Sequence, residues 1–218
     1  MNRTRLLESV RRGLDAHGAA AARRQAAEAR LTQVVPHPRP ARASGDLVQH
    51  FKERLRVLGA EPIDVDAAED IPAAIATYLE RHALPARLRC GADPLWATVP
   101  WDRASPLIVD RGAAQPFDSA GLSRAVAGVA ETGTLVLASG ADNPVTLGFL
   151  PDTHIVVLPA SKVVAHYEDA LALVKAGGAM PRTLNLVTGA SRTGDIGGKI
   201  VMGAHGPRRL AVVFLGSG

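Results

Sequence analysis

The stretch Pro151-Asp152-Thr153-His154-Ile155-Val156-Val157-Leu158-Pro159 decides the fold. From Ile155 to Leu158 it is apolar without alternation, and turn-forming residues close it at both ends. An unbroken short apolar run of this kind suits a strand buried on both faces rather than one with a wetted side. Working outward, Val126–Ala130, Thr134–Ala138, Thr183–Thr188 and Leu210–Leu215 share its texture and are bounded by Gly, Pro, Ser or Asp. Ala165–Ala176 reads as a helix with Ala170, Leu171 and Val174 facing inward. Strands and helices at this spacing predict an α/β fold with a mostly parallel sheet and flanking helices. The segments on either side of Glu131-Thr132-Gly133 stand too close for a crossover helix. That pair is expected to be a hairpin or two pieces of one bent strand.

Upstream the alternation continues. Leu47, Phe51, Leu55 and Leu58 mark one face of a helix with Ser44 or Asp46 as its cap and Gly59 as its stop. A strand is expected near Ile63–Val65, then a helix from Asp70 whose buried stripe is Ile71, Ile75 and Leu79, with Pro72 tolerated in its first turn. Ala86–Cys90 and Pro106–Asp110 read as further strands, separated by a helical or looped piece holding Trp96 and Trp101. Before all of this, Leu6, Val10 and Leu14 repeat at helical spacing and an Ala-rich stretch follows, so residues 1–33 form a helical arm of one or two helices. Residues 34–45 are rich in Pro and read as a linker. The α/β domain then spans 46–218.

Composition narrows the function. The chain has 218 residues, 47% of them hydrophobic, enough for one sizeable core. Its net charge of +4 is local: residues 1–40 hold eight Arg against Glu8, Asp15 and Glu28, a balance of +5, and the remainder sums to −1. A neutral main domain with few aromatics among its cations disfavours nucleic-acid binding. No apolar run approaches the ~20 residues of a membrane span, and the Arg-rich start has no apolar core of a secretory signal, so a cytoplasmic location is expected. Cys90 stands alone. The chain can therefore form no internal disulfide and hold no iron–sulfur cluster by itself.

Three loops carry Gly beside polar side chains and follow apolar strands, where open α/β sheets bind ligands. They are Glu131-Thr132-Gly133-Thr134, the run from Thr188 through Gly189, Ser191, Arg192, Thr193 and Asp195, and Gly203-Ala204-His205-Gly206-Pro207-Arg208. Glycine lets backbone N–H groups approach an anion, while Ser191, Arg192 and Thr193 add donors, so a phosphate or carboxylate fits. Neither a P-loop nor a G-x-G-x-x-G pattern is present. Glu131, a lone carboxylate in an apolar run, is costly to bury unless something pairs with it or uses its charge. Glu131 and His205 are the candidate acid–base residues. His154, His205, Asp195 and Glu131 show no metal-ligand spacing, and no metal site is expected.

Taken together, Ala-Gly-Val-Ala-Glu131-Thr-Gly-Thr-Leu-Val-Leu, Leu-Pro151-Asp-Thr-His154-Ile-Val-Val-Leu-Pro-Ala-Ser, Asn185-Leu-Val-Thr-Gly-Ala-Ser-Arg-Thr-Gly-Asp195-Ile and Gly203-Ala-His-Gly-Pro-Arg resemble the ordered signature blocks of the lactate utilization protein C, or LUD-domain, family. The chain departs from that pattern in its extra glycines, Gly194 and Gly197-Gly198. The resemblance implies a fold like the NagB/RpiA/CoA-transferase group. It also implies a part in oxidising L-lactate to pyruvate alongside two partner proteins that carry the iron–sulfur clusters; the loops themselves suggest that this chain binds a small carboxylate or other anion. In the related transferase fold a Glu at a strand end forms a covalent thioester with CoA, and Glu131 is the position comparable with it by analogy of fold. A free-standing acyl- or CoA-transferase-like enzyme using Glu131, and a scaffold subunit, stand as the alternatives; whether the chain is itself an enzyme stays open.

Overall fold

The computed structural model describes residues 2–15, 20–32, 39, 45–104, 106–196 and 198–216. Most of the expected linker, the candidate cap Ser44 and Gly197 lie outside the described residues. Residues 1–39 and 40–218 make two compact units. The first contains α1 (Arg3–Asp15) and α2 (Ala20–Thr32), and Leu6, Val10 and Leu14 are exposed on α1. Among the described residues no helix is long and apolar enough to cross a membrane.

The second unit opens with α3 (Leu47–Val57), whose start is fixed by Asp46: its carboxylate accepts the Val48 and Gln49 N–H groups, each at 3.0 Å. Then come β1 (Ala60–Val65), α4 (Ile71–Arg81), β2 (Arg87–Cys90), α5 (Leu95–Thr98), β3 (Ile108–Arg111), β4 (Ala120–Arg124), β5 (Ala127–Val129), β6 (Thr134–Ala138) and β7 (Thr153–Pro159). They are followed by β8 (Val163–Val164), α6 (Tyr167–Ala176), β9 (Leu184–Val187), β10 (Arg192–Ile196), β11 (Lys199–Met202) and β12 (Arg209–Leu215).

Six strands form an all-parallel sheet in the order β1-β12-β7-β4-β2-β3. The two most apolar strands, β7 and β12, lie side by side within it, with Thr153 opposite Arg209 and Pro159 opposite Leu215. Successive residues of β7 serve opposite cores, as the period of two requires. Ile155 and Val157 join Ile71, Ile75 and Leu79 of α4, whereas Val156 and Leu158 join Phe51 and Leu55 of α3. The unbroken apolar run is thus explained by burial from both sides.

Three segments expected in this sheet leave it. β5, β6 and β9 join β8 in a separate four-stranded sheet ordered β8-β5-β6-β9. β5 and β6 are an antiparallel hairpin, as their short connection demands. One face of this sheet is covered by α6 through Ala170 and Val174, and Phe51 and Leu55 of α3 pack with Leu135 and Leu137 of β6. Leu171, expected to face inward, is 38% exposed because the covered stripe runs through Ala170 and Val174 instead. Strand β4 and the β10–β11 hairpin were not apparent from apolar patterning.

At Gly128 the two sheets and α3 meet closely. A Cβ there would come within 2.8 Å of Leu158 Cδ2 and 2.9 Å of the Phe51 ring. We expect Gly128→Ala to lower stability in urea unfolding by about 1–3 kcal/mol. Phe51→Leu in the same chain should offset part of that loss. A cost no larger than that of an exposed substitution would show that the three elements are not in this contact.

Candidate functional site

The run after β9 turns back over the end of α3. Gly189 makes the turn at φ 84°, and a Cβ on it would sit 2.6 Å from the Leu58 carbonyl oxygen, so glycine is required both by conformation and by space. Two backbone hydrogen bonds then pin this run to the turn before β12: Ser191 N–H donates to the Pro207 carbonyl at 2.9 Å, and Gly203 N–H to the Ser191 carbonyl at 3.0 Å. The β10–β11 hairpin, pairing Arg192 with Met202 and Thr193 with Val201, continues from there.

Between these loops and the amino ends of β7 and β12 lies a cavity of approximately 350 Å³. Ser191, Arg192, Thr193 and His205 supply its polar wall, with Gly189 and Gly206 between them, and Phe149, Leu186 and Leu210 its apolar wall. Among the described residues no carboxylate lines it and none pairs with Arg192. A guanidinium among hydroxyls in a concave site, with no described acid beside it, favours an anion, above all a planar carboxylate held by two parallel hydrogen bonds. The cavity lies at the amino ends of β7 and β12, opposite to the expected carboxyl edge. The reason is local: the Gly203–Pro207 turn leads into β12, and the β9 strand belongs to the second sheet.

His154 lines the same cavity from the core side. It shares a face of β7 with Val156 and Leu158 and is 1% exposed. Its Nε2 lies 2.9 Å from Ser123 Oγ, while Nδ1 has no hydrogen-bond partner among the described residues. Burial pushes the imidazole down from 6.5 to about 4, so it is neutral near pH 7.

Glu131 does not line the cavity. Its carboxylate pairs with His166 at 3.2 Å, both side chains being largely buried, so the cost of burying it is met by a partner. Beside it, Thr134 Oγ1 lies 2.7 Å from Thr132 Oγ1, 2.8 Å from Tyr167 Oη and 2.7 Å from Thr188 Oγ1. Thr188 also lines the cavity, so this hydroxyl cluster backs its wall.

Ten of the twelve expected site residues fall into two groups. Gly189, Ser191, Arg192, Thr193, His205 and Gly206 come together on the cavity. Glu131, Thr132 and Thr134 form the adjoining cluster, with Gly133 in its turn at φ 73°. Gly203 serves the turn, and Asp195 follows along β10, its side chain outside what is described. Ser123, His166 and Tyr167 carry no sequence signal of a site, and His154 enters the sequence reading only as a metal ligand that is not expected. The signal for His154 was a single basic residue opening an otherwise apolar strand. Among the described residues no three His, Cys, Asp or Glu side chains are grouped to hold a metal ion. A second cavity, of approximately 390 Å³ at the carboxyl ends of β4 and β7, mixes Arg124 and Lys162 with Asp93 and Asp142 and lacks this one-signed character.

Comparison with known proteins agrees with this architecture. The LUD domain model matches residues 118–215, which hold both clusters. Lactate utilization protein C of Deinococcus radiodurans is 34% identical over 207 residues, spanning 88% of this chain and 91% of that protein. The protein of the same name from Geobacillus kaustophilus is 36% identical over 91 residues, 40% of this chain and 38% of its own length. The crystal structure of a DUF162 family protein from Deinococcus radiodurans superposes with a TM-score of 0.61 at 27% identity, covering 82% of this chain and all of that one.

The buried imidazole makes stability depend on pH. The unfolded chain takes up a proton near 6.5 that the native state resists until about 4, so the contribution of His154 is complete above 6.5 and is lost as the pH falls between those values. At roughly 1.4 kcal/mol per pH unit the loss approaches ~3 kcal/mol. Urea midpoints recorded from pH 7 down to 4 should fall, and His154→Gln should flatten the decline. An equally steep decline in the variant would mean that His154 is solvated.

Proposed function

The chain belongs to the lactate utilization protein C family of LUD-domain proteins, and from that premise we propose that it is a non-redox component of a lactate-utilization system that binds a small carboxylate at Arg192. In this role it acts beside partner proteins that hold iron–sulfur clusters and carry electrons during oxidation of L-lactate to pyruvate. The division of labour follows from its own composition, because a chain with one cysteine, buried Cys90, has no thiolate set for a cluster.

One observation carries the ligand assignment. Arg192 lines a concave site of approximately 350 Å³, its guanidinium lying against Gly59, with hydroxyl and imidazole groups around it and, among the described residues, no acid paired with it. A carboxylate there gains a bidentate, charge-assisted contact, and the apolar wall of Phe149, Leu186 and Leu210 accommodates a short carbon chain. Acyl transfer through Glu131 finds less support, since that carboxylate is paired with His166 and lies outside the cavity lining. The hydroxyl cluster of Thr132, Thr134, Tyr167 and Thr188 acts instead as a rigid backing for the Thr188–Thr193 loop.

Arg192→Ala is expected to abolish growth on L-lactate while leaving the unfolding temperature within a degree or two of the parent. A hydrogen bond to a charged group contributes roughly 1.5–3 kcal/mol, so carboxylate binding should weaken by about ten- to a hundredfold. Unimpaired growth of cells carrying the folded variant would remove Arg192 from the function.

A further inference from the structure

We propose that the outer end of the parallel sheet, at β2 and β3, is a docking surface for a second copy of this chain, closed by mutual insertion of Phe117 and independent of the carboxylate site. A parallel sheet is ordinarily covered on both faces. Paired residues of parallel neighbours point the same way, so the register fixes which side chains share a face. On one face Leu88 and Cys90 of β2, with Val109 of β3, join the core under α4.

The opposite face is covered unevenly. At β7 and β12 it lies under α3. At β4 it is closed by the Leu147 backbone, whose carbonyl oxygen would collide with a Cβ on Gly121. Arg89 is paired with Gly121, and from there outward Arg87, Arg89, Ile108 and Asp110 occupy this face. Arg87 is exposed there, and Ile108 is 54% exposed. The sheet is thus covered on one side only at this end.

Beside the bare face, the loop entering β4 holds Phe117 in water, 99% exposed. The turn that carries it is tied down. Asp118 N–H donates to the Gln115 carbonyl at 3.0 Å, Gln115 N–H to the Asp118 carboxylate at 2.6 Å, and Arg89 pairs with that same carboxylate. Farther back, Ala114 N–H donates to Thr146 Oγ1 at 3.0 Å. An aromatic ring on a fixed turn loses little freedom when it docks, and such rings anchor interfaces.

The ring forms one wall of a recess of approximately 380 Å³, where Pro85 and Ala120 meet Arg87, Arg89 and Asp118. Projection and recess therefore stand together. The charges are balanced as well, because Arg87 pairs with Asp110 and Arg89 with Asp118. A strongly basic or acidic partner finds no opposite excess here. A surface with its own projection, its own recess and equal numbers of both charges complements itself. About a twofold axis each Phe117 enters the recess of the other copy, as an isologous interface requires. The two rings then adjoin each other near the axis, a contact that aromatic pairs favour.

Sedimentation equilibrium of the full chain, from micromolar to submillimolar concentration, tests this. We expect a reversible equilibrium between monomer and dimer. Phe117→Ser should weaken it at least about thirtyfold, and Ile108→Lys, on the bare face of β3, should weaken it too. Both positions are exposed, so circular dichroism should report an unchanged fold. Helix α1 also exposes apolar side chains, and Val10→Ser with Leu14→Ser should leave the association constant as it is. A parent chain that stays monomeric throughout would overturn the proposal. So would a dimer that survives both Phe117→Ser and Ile108→Lys. A dimer kept in Phe117→Ser and lost in the α1 variant would give self-association to the arm and overturn it equally.

Discussion

Strand β7 has no face that can meet water. Because Ile155 and Val157 point one way and Val156 and Leu158 the other, the parallel sheet must be covered twice, by α4 on one side and by α3 with the second sheet on the other. The second covering layer is what creates the site. To lay β5, β6 and β9 over α3, the chain must pass across the ends of the sheet, and the run leaving β9 crosses the amino ends of β7 and β12 on its way to the β10–β11 hairpin. Gly189, Ser191 and the Gly203–Pro207 turn are held there by backbone contacts and not by their own side chains. The loop can therefore spend its side chains on a ligand.

The electrostatics of the two polar clusters differ in kind. At Glu131 and His166 an acid meets a base, and the neighbouring hydroxyls of Thr132, Thr134, Tyr167 and Thr188 satisfy one another. Such a closed network rigidifies its surroundings and leaves little capacity for a substrate. Across Thr188 the cavity differs: among the described residues its cation has no counter-charge, and a neutral imidazole with an unpartnered Nδ1 stands at the base. Function follows the unsatisfied groups. The satisfied ones hold the wall behind them.

The architecture was legible where apolar pattern and burial coincide. Ile155–Leu158 and Leu210–Leu215 announced the interior of a parallel sheet, and Ile71, Ile75 and Leu79 announced the helix that covers it. Strand β4 was silent because Gly121 and Ser123 interrupt its pattern, each for a reason visible only in space: the Leu147 backbone crowds one, and the other meets His154. The division into two sheets was equally hidden, since buried strands of either sheet look alike along the chain. Of the site, the residues sharing one loop, Ser191, Arg192 and Thr193, could be grouped by proximity in sequence. His154 and Ser123 could not, because strand pairing brings them together from two separate segments. Glu131 attracted notice as an acid in an apolar run, yet its partner His166 lay beyond the reach of any local pattern.

A small carboxylate at the amino ends of β7 and β12, between Arg192 and His154, would perturb the nuclei that surround it. Amide and imidazole chemical shifts of the isotope-labelled chain, followed during addition of L-lactate, should change most at Gly189, Ser191, Thr193 and Gly206, together with the His154 ring nitrogens. Changes confined to the opposite edge, around Asp93, Arg124 and Lys162, would rule out binding between Arg192 and His154.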